Sequence, residues 1–175
     1  MAATDDIRAL DDQGLKDAAV QLGEPAFRGK QLADWLWSKG AGRFEDMTNL
    51  PQAFRASLER EYLLSPIVAE EEQVSVDGTV KCAFPIETGK VVEGVLIPAK
   101  DRMTACISSQ VGCSLSCSFC ATGRLKLLRN LTAGEIVDQV RHIAALAERH
   151  HGHRLTNIVY MGMGCLLYTS DAADE

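Results

Sequence analysis

The chain lacks long apolar runs, internal repeats, low-complexity segments and a surplus of positive charge. No stretch approaches the ~18 uninterrupted apolar residues of a membrane-spanning helix, so no span is expected. Met1 to Asp12 holds Asp5, Asp6, Arg8, Asp11 and Asp12 before any apolar run, whereas a secretory signal needs a basic start and an apolar centre. The expected location is the cytoplasm. Lys and Arg number 18 against 24 Asp and Glu, a net charge of −6, which argues against a uniformly basic nucleic-acid coat. With 46% hydrophobic and 24% charged residues in 175, the composition is that of a globular protein rather than a disordered one. The length suits one domain or two small ones.

The charge is unevenly spread. Residues 1–23 and 61–100 are acidic, whereas 24–60 are near neutral and 101–154 carry seven basic against four acidic groups. Contact with nucleic acid therefore stays open in those two stretches, the alternative being solvated faces. Cysteine, by contrast, is plentiful. Of Cys82, Cys106, Cys113, Cys117, Cys120 and Cys165, three fall within eight residues. In a reducing compartment such a cluster points to a metal site or redox chemistry rather than a disulfide framework.

Three short helices are expected first. Leu15, Ala18, Ala19 and Leu22 recur at helical spacing, and Gly23 suits the left-handed residue that closes a helix. Gln31, Leu32, Trp35 and Leu36 form a second stripe, closed by Gly40. Pro51 suits the first turn of a third helix with Phe54, Leu58 and Tyr62 on one face. One of Trp35 and Trp37 is expected inside and the other partly exposed. After Ser65-Pro66, β-branched residues from Ile67 to Val76, the hairpin signal Asp77-Gly78, Val80 to Ile86, a turn at Thr88-Gly89-Lys90 and Val91 to Ile97 predict a β-meander.

Thr104 to Ser108 predicts a strand leading into a Gly-, Ser- and Cys-rich loop, Gln110 to Gly123. Thr132 with Glu135 matches a capping box. The helix it opens carries Ile136, Val137, Val140, Ile143, Ala144 and Ala147 at helical spacing. His150 to Arg154 reads as a loop, and Leu155 to Met161 as a short strand ending in Gly162-Met163-Gly164. Strand, loop, helix and strand make a βαβ unit with parallel pairing, so the expected class is α/β.

Cys113, Cys117 and Cys120 stand as C-x-x-x-C-x-x-C. Thiolates are the usual ligands of iron–sulfur clusters, and three on one loop without a nearby fourth would leave one iron open. A helix would also bring all three to one face, but Gly112, Gly123 and the intervening Ser114, Ser116 and Ser118 are poor helix residues. Zinc is the other candidate. It wants four closed ligands, the fourth being Cys106 or one of His150, His151 and His153. Paired C-x-x-C knuckles are more usual for zinc than a lone three-cysteine loop, and the spacing favours a cluster.

The motif after a strand resembles the radical S-adenosylmethionine (SAM) superfamily. The run from Thr104 to Gly123, T-A-C-I-S-S-Q-V-G-C-S-L-S-C-S-F-C-A-T-G, with Phe119 before the last cysteine, closely resembles the RlmN/Cfr family of radical methyltransferases acting on adenine in RNA. Phe27 to Leu36 with Phe44 to Thr48, Val92-Glu93 to Pro98, and Tyr160 to Gly164 agree with it.

The resemblance implies that residues 1–65 are a helical accessory RNA-binding domain and 66–100 a meander linking region. It makes 101–164 the start of a partial (βα) barrel, and 165–175 unrelated to the family. It implies that Cys113, Cys117 and Cys120 ligate a 4Fe–4S cluster with SAM on its open iron, and that Gly162, Met163 and Gly164 contact SAM. Cys165 stands where the family continues with glutamate. A cysteine near the carboxyl terminus of family members carries the methyl group. Glu93 matches the general base for the adenine carbon, and Cys106 the cysteine that resolves the protein–RNA adduct through a transient disulfide. Arg28, Lys30, Lys39 and Arg43, with Arg124, Lys126 and Arg129 after the loop, are the candidates for phosphate contact.

The implied activity is methylation of carbon 2 of adenine in 23S rRNA and in tRNA, with an electron donor such as flavodoxin and a monomeric full-length enzyme. The alternatives are carbon 8 of the ribosomal adenine, or a zinc-stabilised RNA-binding module without catalysis. Too few βα units follow Thr104 for a complete barrel, so the chain as written is expected to be truncated and inactive.

Overall fold

Asp11 opens the first helix. Its carboxylate accepts the Gly14 N–H at 2.7 Å and caps α1 (Asp12–Gln21), satisfying one of the donors that a helix start leaves unpaired. α1 buries Leu15, Ala18 and Ala19, and the chain leaves it through Gly23 at φ +82°. α2 (Phe27–Ala33) passes into a wider π-type turn, Asp34–Lys39, before Gly40 adopts φ +70°. α3 (Gln52–Glu61) follows, with Pro51 one residue ahead of it rather than in its first turn. These helices share a core that includes Ile7, Leu32, Leu36, Met47, Phe54 and Leu58. Leu36 occupies the buried place between the two tryptophans, so Trp35 and Trp37 are both half-buried, not one in and one out. Arg8, 8% exposed, pairs with Asp6 at 2.8 Å and donates to the Ser65 carbonyl.

The computed structural model describes residues 5–86 and 89–165, in two units, Met1–Pro66 and Ile67–Glu175. The turn expected at Thr88 and the tail beyond Cys165 lie outside the described residues. In the second unit a five-stranded sheet has the order β1-β2-β3-β4-β7. Its members are β1 (Glu71–Val74), β2 (Val80–Ile86), β3 (Lys90–Ala99), β4 (Arg102–Cys106) and β7 (Asn157–Val159). β1 to β4 pair antiparallel, and β4 pairs with β7 in parallel. The stretches 66–100 and 101–164, separate in the sequence reading, thus share one sheet. Lys100-Asp101 turns β3 directly into β4, with Ala99 opposite Arg102. A two-stranded sheet, β5 (Gln110–Val111) with β6 (Arg129–Asn130), lies outside it.

The capping box forms as expected. Thr132 Oγ1 accepts the Glu135 N–H at 3.2 Å, and the Glu135 carboxylate accepts the Thr132 N–H at 2.8 Å. α4 (Ala133–His151) runs through His150 and His151, expected in a loop, because no breaker precedes Gly152, where φ is +66°. It lays Ile143, Leu146 and Ala147 in one core with Phe84, Leu96 and Ala105 of the sheet. β2 alternates, with Val80, Cys82, Phe84 and Ile86 buried and Lys81 exposed. One sheet face is therefore the core, and the other carries Lys81, Glu93 and Cys106.

Candidate active site

The cysteine loop is held at its neck. β5 pairs Val111 with Arg129, the Leu128 N–H donates to the Val111 carbonyl, and the Cys113 N–H donates to Leu125 O at 3.3 Å. Gly112 sits at φ +81°, and a side chain there would place Cβ 2.2 Å from the Lys126 carbonyl oxygen. Only glycine fits that closure. Beyond the neck, Cys113 to Cys120 is irregular rather than helical, and its three thiols are partly exposed. The Leu115 N–H donates to Cys113 Sγ at 3.4 Å, and the Cys120 N–H to the Cys117 carbonyl at 3.2 Å.

Across the open sheet face, register aligns Lys81 with Val95, Val95 with Cys106 and Cys106 with Val159. Glu93 lies two residues along β3 from Val95. Glu93 and Cys106 are therefore diagonal neighbours on one face, about 7–8 Å apart by strand geometry. Lys81 Nζ reaches Glu93 Oε1 at 2.6 Å, with both side chains nearly half exposed. Lys81 escaped the sequence reading, as its relation to Glu93 exists only through strand pairing. Burial pushes the Cys106 thiol above its ordinary value, partly offset by a backbone hydrogen bond from Met161. A thiol so placed reacts as a thiolate only once a proton acceptor has taken its proton.

Gly162 to Gly164 continues alongside the segment after β4. The Gly162 N–H donates to Ile107 O at 3.0 Å, and the Met163 carbonyl accepts the Ser109 N–H at 2.9 Å. A Cβ on Gly162 would stand 2.7 Å from the Ile107 oxygen and the Ser108 hydroxyl. Gly164, at φ +105°, is crowded in the same way by the side chains of Ser109 and Gln110, so both glycines let this segment pack closely on residues 107–110. Ser108, wholly buried, is the hub. Its hydroxyl donates to the Glu93 carbonyl at 2.6 Å and accepts the Met163 N–H at 2.8 Å, while the Gln139 amide grips its N–H and C=O at 2.9 and 3.1 Å. A cavity of about 470 Å³ opens between the neck and this segment, walled by Val91, Gly112, Lys126, Leu128 and Met163 among others. That size suits a small-molecule ligand.

Residues 6–64 match the family described as the ribosomal RNA large subunit methyltransferase N-terminal domain. A probable dual-specificity RNA methyltransferase RlmN of Cytophaga hutchinsonii is 54% identical over 158 residues, 90% of this chain and 43% of its own length. The protein of the same name in Salinibacter ruber is 44% identical over 173 residues, 95% of this chain and 47% of its own. The crystal structure of a radical SAM methyltransferase from Sphaerobacter thermophilus superposes with a TM-score of 0.80 at 40% identity, over 98% of this chain and 50% of that one. The chain is a member of the RlmN/Cfr family. It spans a little under half the length of these curated relatives.

The RlmN/Cfr cluster can be tested against the residues present. Among the described residues no three His, Cys, Asp or Glu side chains stand together as a metal-binding group, so the loop is not a preformed cage. Its donor chemistry does fit: three partly exposed thiols on one pinned, irregular loop, one of them already accepting a backbone N–H. The zinc alternative loses its histidines. His151 contacts the Gly78 carbonyl at 3.0 Å, at the far end of a 19-residue helix that is about 28 Å long.

Most of the cations proposed for RNA contact face acids of their own. Arg28 meets Glu24, Lys39 meets Asp34, and Arg43 meets Glu45 and Asp46. Arg129 grips the Glu135 carboxylate through two bonds of 2.8 and 2.7 Å, which makes it a brace for α4. Lys30, Arg124 and Lys126 have no ion pair among the described residues.

Proposed function

We propose that this chain is the amino-terminal part of a radical SAM enzyme that methylates carbon 2 of adenine in 23S rRNA and tRNA. The observation that carries the reading is the meeting of four elements at one end of the sheet. These are the neck of the cysteine loop, Glu93, Cys106 and the Gly162–Gly164 segment, joined through Ser108 and Ser109. Cys113, Cys117 and Cys120 would hold the 4Fe–4S cluster, and the segment around Met163 would border SAM. The bound cluster and SAM supply one-electron chemistry that no side chain provides. Glu93, oriented by Lys81, would accept the proton from the adenine carbon. Cys106 would then attack the methylene-linked cysteine in the half of the family's length that this chain does not span. The new S–S bond would replace the tether's carbon–sulfur bond, whose electron pair passes to the adenine-bound methylene, and a proton taken up there would complete the methyl group as the RNA leaves. Both residues lie on the open sheet face, from which an adenine base would approach them. The described residues include no helix long and apolar enough to cross a membrane, and the reading places the enzyme in the cytoplasm beside a flavodoxin-type reductant.

Anaerobic reconstitution tests the cluster assignment directly. The expected product holds about four iron and four sulfide per chain, and Ala at any of Cys113, Cys117 or Cys120 should abolish stable loading. A single zinc, or full cluster loading in the triple variant, overturns it.

A further inference from the structure

At the end of β4 away from the cysteine loop, the Lys100-Asp101 turn and the segment between α4 and β7 enclose a groove of about 240 Å³. Lys100, Arg102, His153 and Arg154 line it, all exposed, with Asp101 as the single acid. None of these forms an ion pair among the described residues, whereas Arg8, Arg28, Lys39, Arg43, Lys81, Arg129 and Arg149 each face an acid. Three permanent cations thus gather against one acid in a chain of net charge −6. Asp101 and the carbonyl end of α4, worth about half a charge, leave the groove positive by more than one charge. Its floor is fixed. The Thr156 hydroxyl donates to the Met103 carbonyl and accepts the Met103 N–H, both at 3.1 Å.

We propose that this groove binds the phosphodiester backbone of RNA, as an anchoring surface separate from the cysteine loop. Phosphate recognition needs cations on a fixed backbone and no base-specific geometry. A strand position (Arg102), a tight turn (Lys100) and a hydrogen-bonded segment (Arg154) provide them. A lipid surface would call for large apolar side chains at the rim, and the one large apolar side chain here, Met103, is buried. β4 separates the groove from the cysteine loop by about 17 Å, a distance that a folded RNA bridges.

The test uses the 175-residue chain and a fluorescein-labelled RNA hairpin, with anisotropy followed across a salt series. The double variant R102A/R154A should bind at least about tenfold more weakly at low salt, with the log–log salt slope reduced by about 2. R102K/R154K should retain most of the affinity. K16A/R60A, which removes equal charge from the helical unit, should change little, and circular dichroism checks folding of all three. Unchanged RNA affinity in R102A/R154A, or an equal loss in K16A/R60A, overturns the proposal. So does a groove-dependent affinity for anionic vesicles or inorganic phosphate that exceeds that for RNA. No iron is needed, so failure of cluster loading leaves this inference standing, and its failure leaves the cluster reading intact.

Discussion

Gln139 and Glu93 both bond to Ser108, the second through its backbone carbonyl, yet substituting their side chains should cost very different amounts of stability. The Glu93–Lys81 pair is nearly half exposed on both sides, and such pairs contribute about 0–1 kcal/mol. Gln139 is wholly buried, and both ends of its amide are used on the Ser108 backbone. Gln139→Leu leaves a buried N–H and C=O unpaired, at about 1–3 kcal/mol for each orphaned group. Urea denaturation should show Gln139→Leu costing at least about 2 kcal/mol and Glu93→Gln less than about 1. Equal losses would show that the buried network does not hold this end of the sheet. Gly112 is a sharper case, since any side chain meets the Lys126 carbonyl at 2.2 Å in a left-handed conformation.

Among elements, α4 is the one whose start is tied to the site. Burial alone would raise the Glu135 carboxyl. The Arg129 guanidinium and the Thr132 amide outweigh it and hold the carboxyl below the usual carboxylate range. A carboxylate depressed in the folded state stabilises above its unfolded value, about 4.3, and the contribution is lost as pH falls through the folded value. Glu135→Gln should therefore be less stable than the parent by about 1–2 kcal/mol at pH 7. The gap should close towards pH 3 in chemical denaturation. A gap of the same size at pH 3 would mean that the charge is irrelevant and only the shape of the cap matters. The cap itself was legible in the sequence because Thr132 and Glu135 are three residues apart, and Asp77-Gly78 likewise announced a hairpin, though its turn is Val76-Asp77-Gly78 rather than two residues. The Ser108–Gln139 grip joins positions 31 apart, and Lys81 meets Glu93 only through register, so neither leaves a local pattern. The π-type turn at Asp34–Lys39 and the two-residue strands β5 and β6 are likewise set by tertiary packing. The spacing of Cys113, Cys117 and Cys120 pointed to a metal loop without help from the family, and the structure adds the pinned neck that carries it. Glu93, an exposed strand residue by its neighbours, was legible only through the family motif, and the motif says nothing of the lysine beside it.

At the scale of the whole molecule, each of the two units builds its own core. The first closes around Phe54, Leu58 and Leu32, the second around Phe84, Leu96 and Ile143. The chain has two tryptophans, Trp35 and Trp37, and both pack against the first core. Tryptophan fluorescence should therefore report the helical unit alone, while far-ultraviolet circular dichroism reports both. Phe54 and Phe84 are each at most 2% exposed, and truncating a buried Phe to Ala costs about 3–5 kcal/mol, a large share of a domain's 5–15 kcal/mol. Phe54→Ala should shift the fluorescence transition to lower urea and leave part of the dichroism transition in place. Phe84→Ala should do the reverse, moving the dichroism amplitude contributed by the sheet and α4 while the tryptophans titrate as in the parent. If Phe84→Ala moved the fluorescence midpoint as far as Phe54→Ala does, the units would unfold as one. The helical unit's stability would then depend on the sheet that carries the cysteine loop.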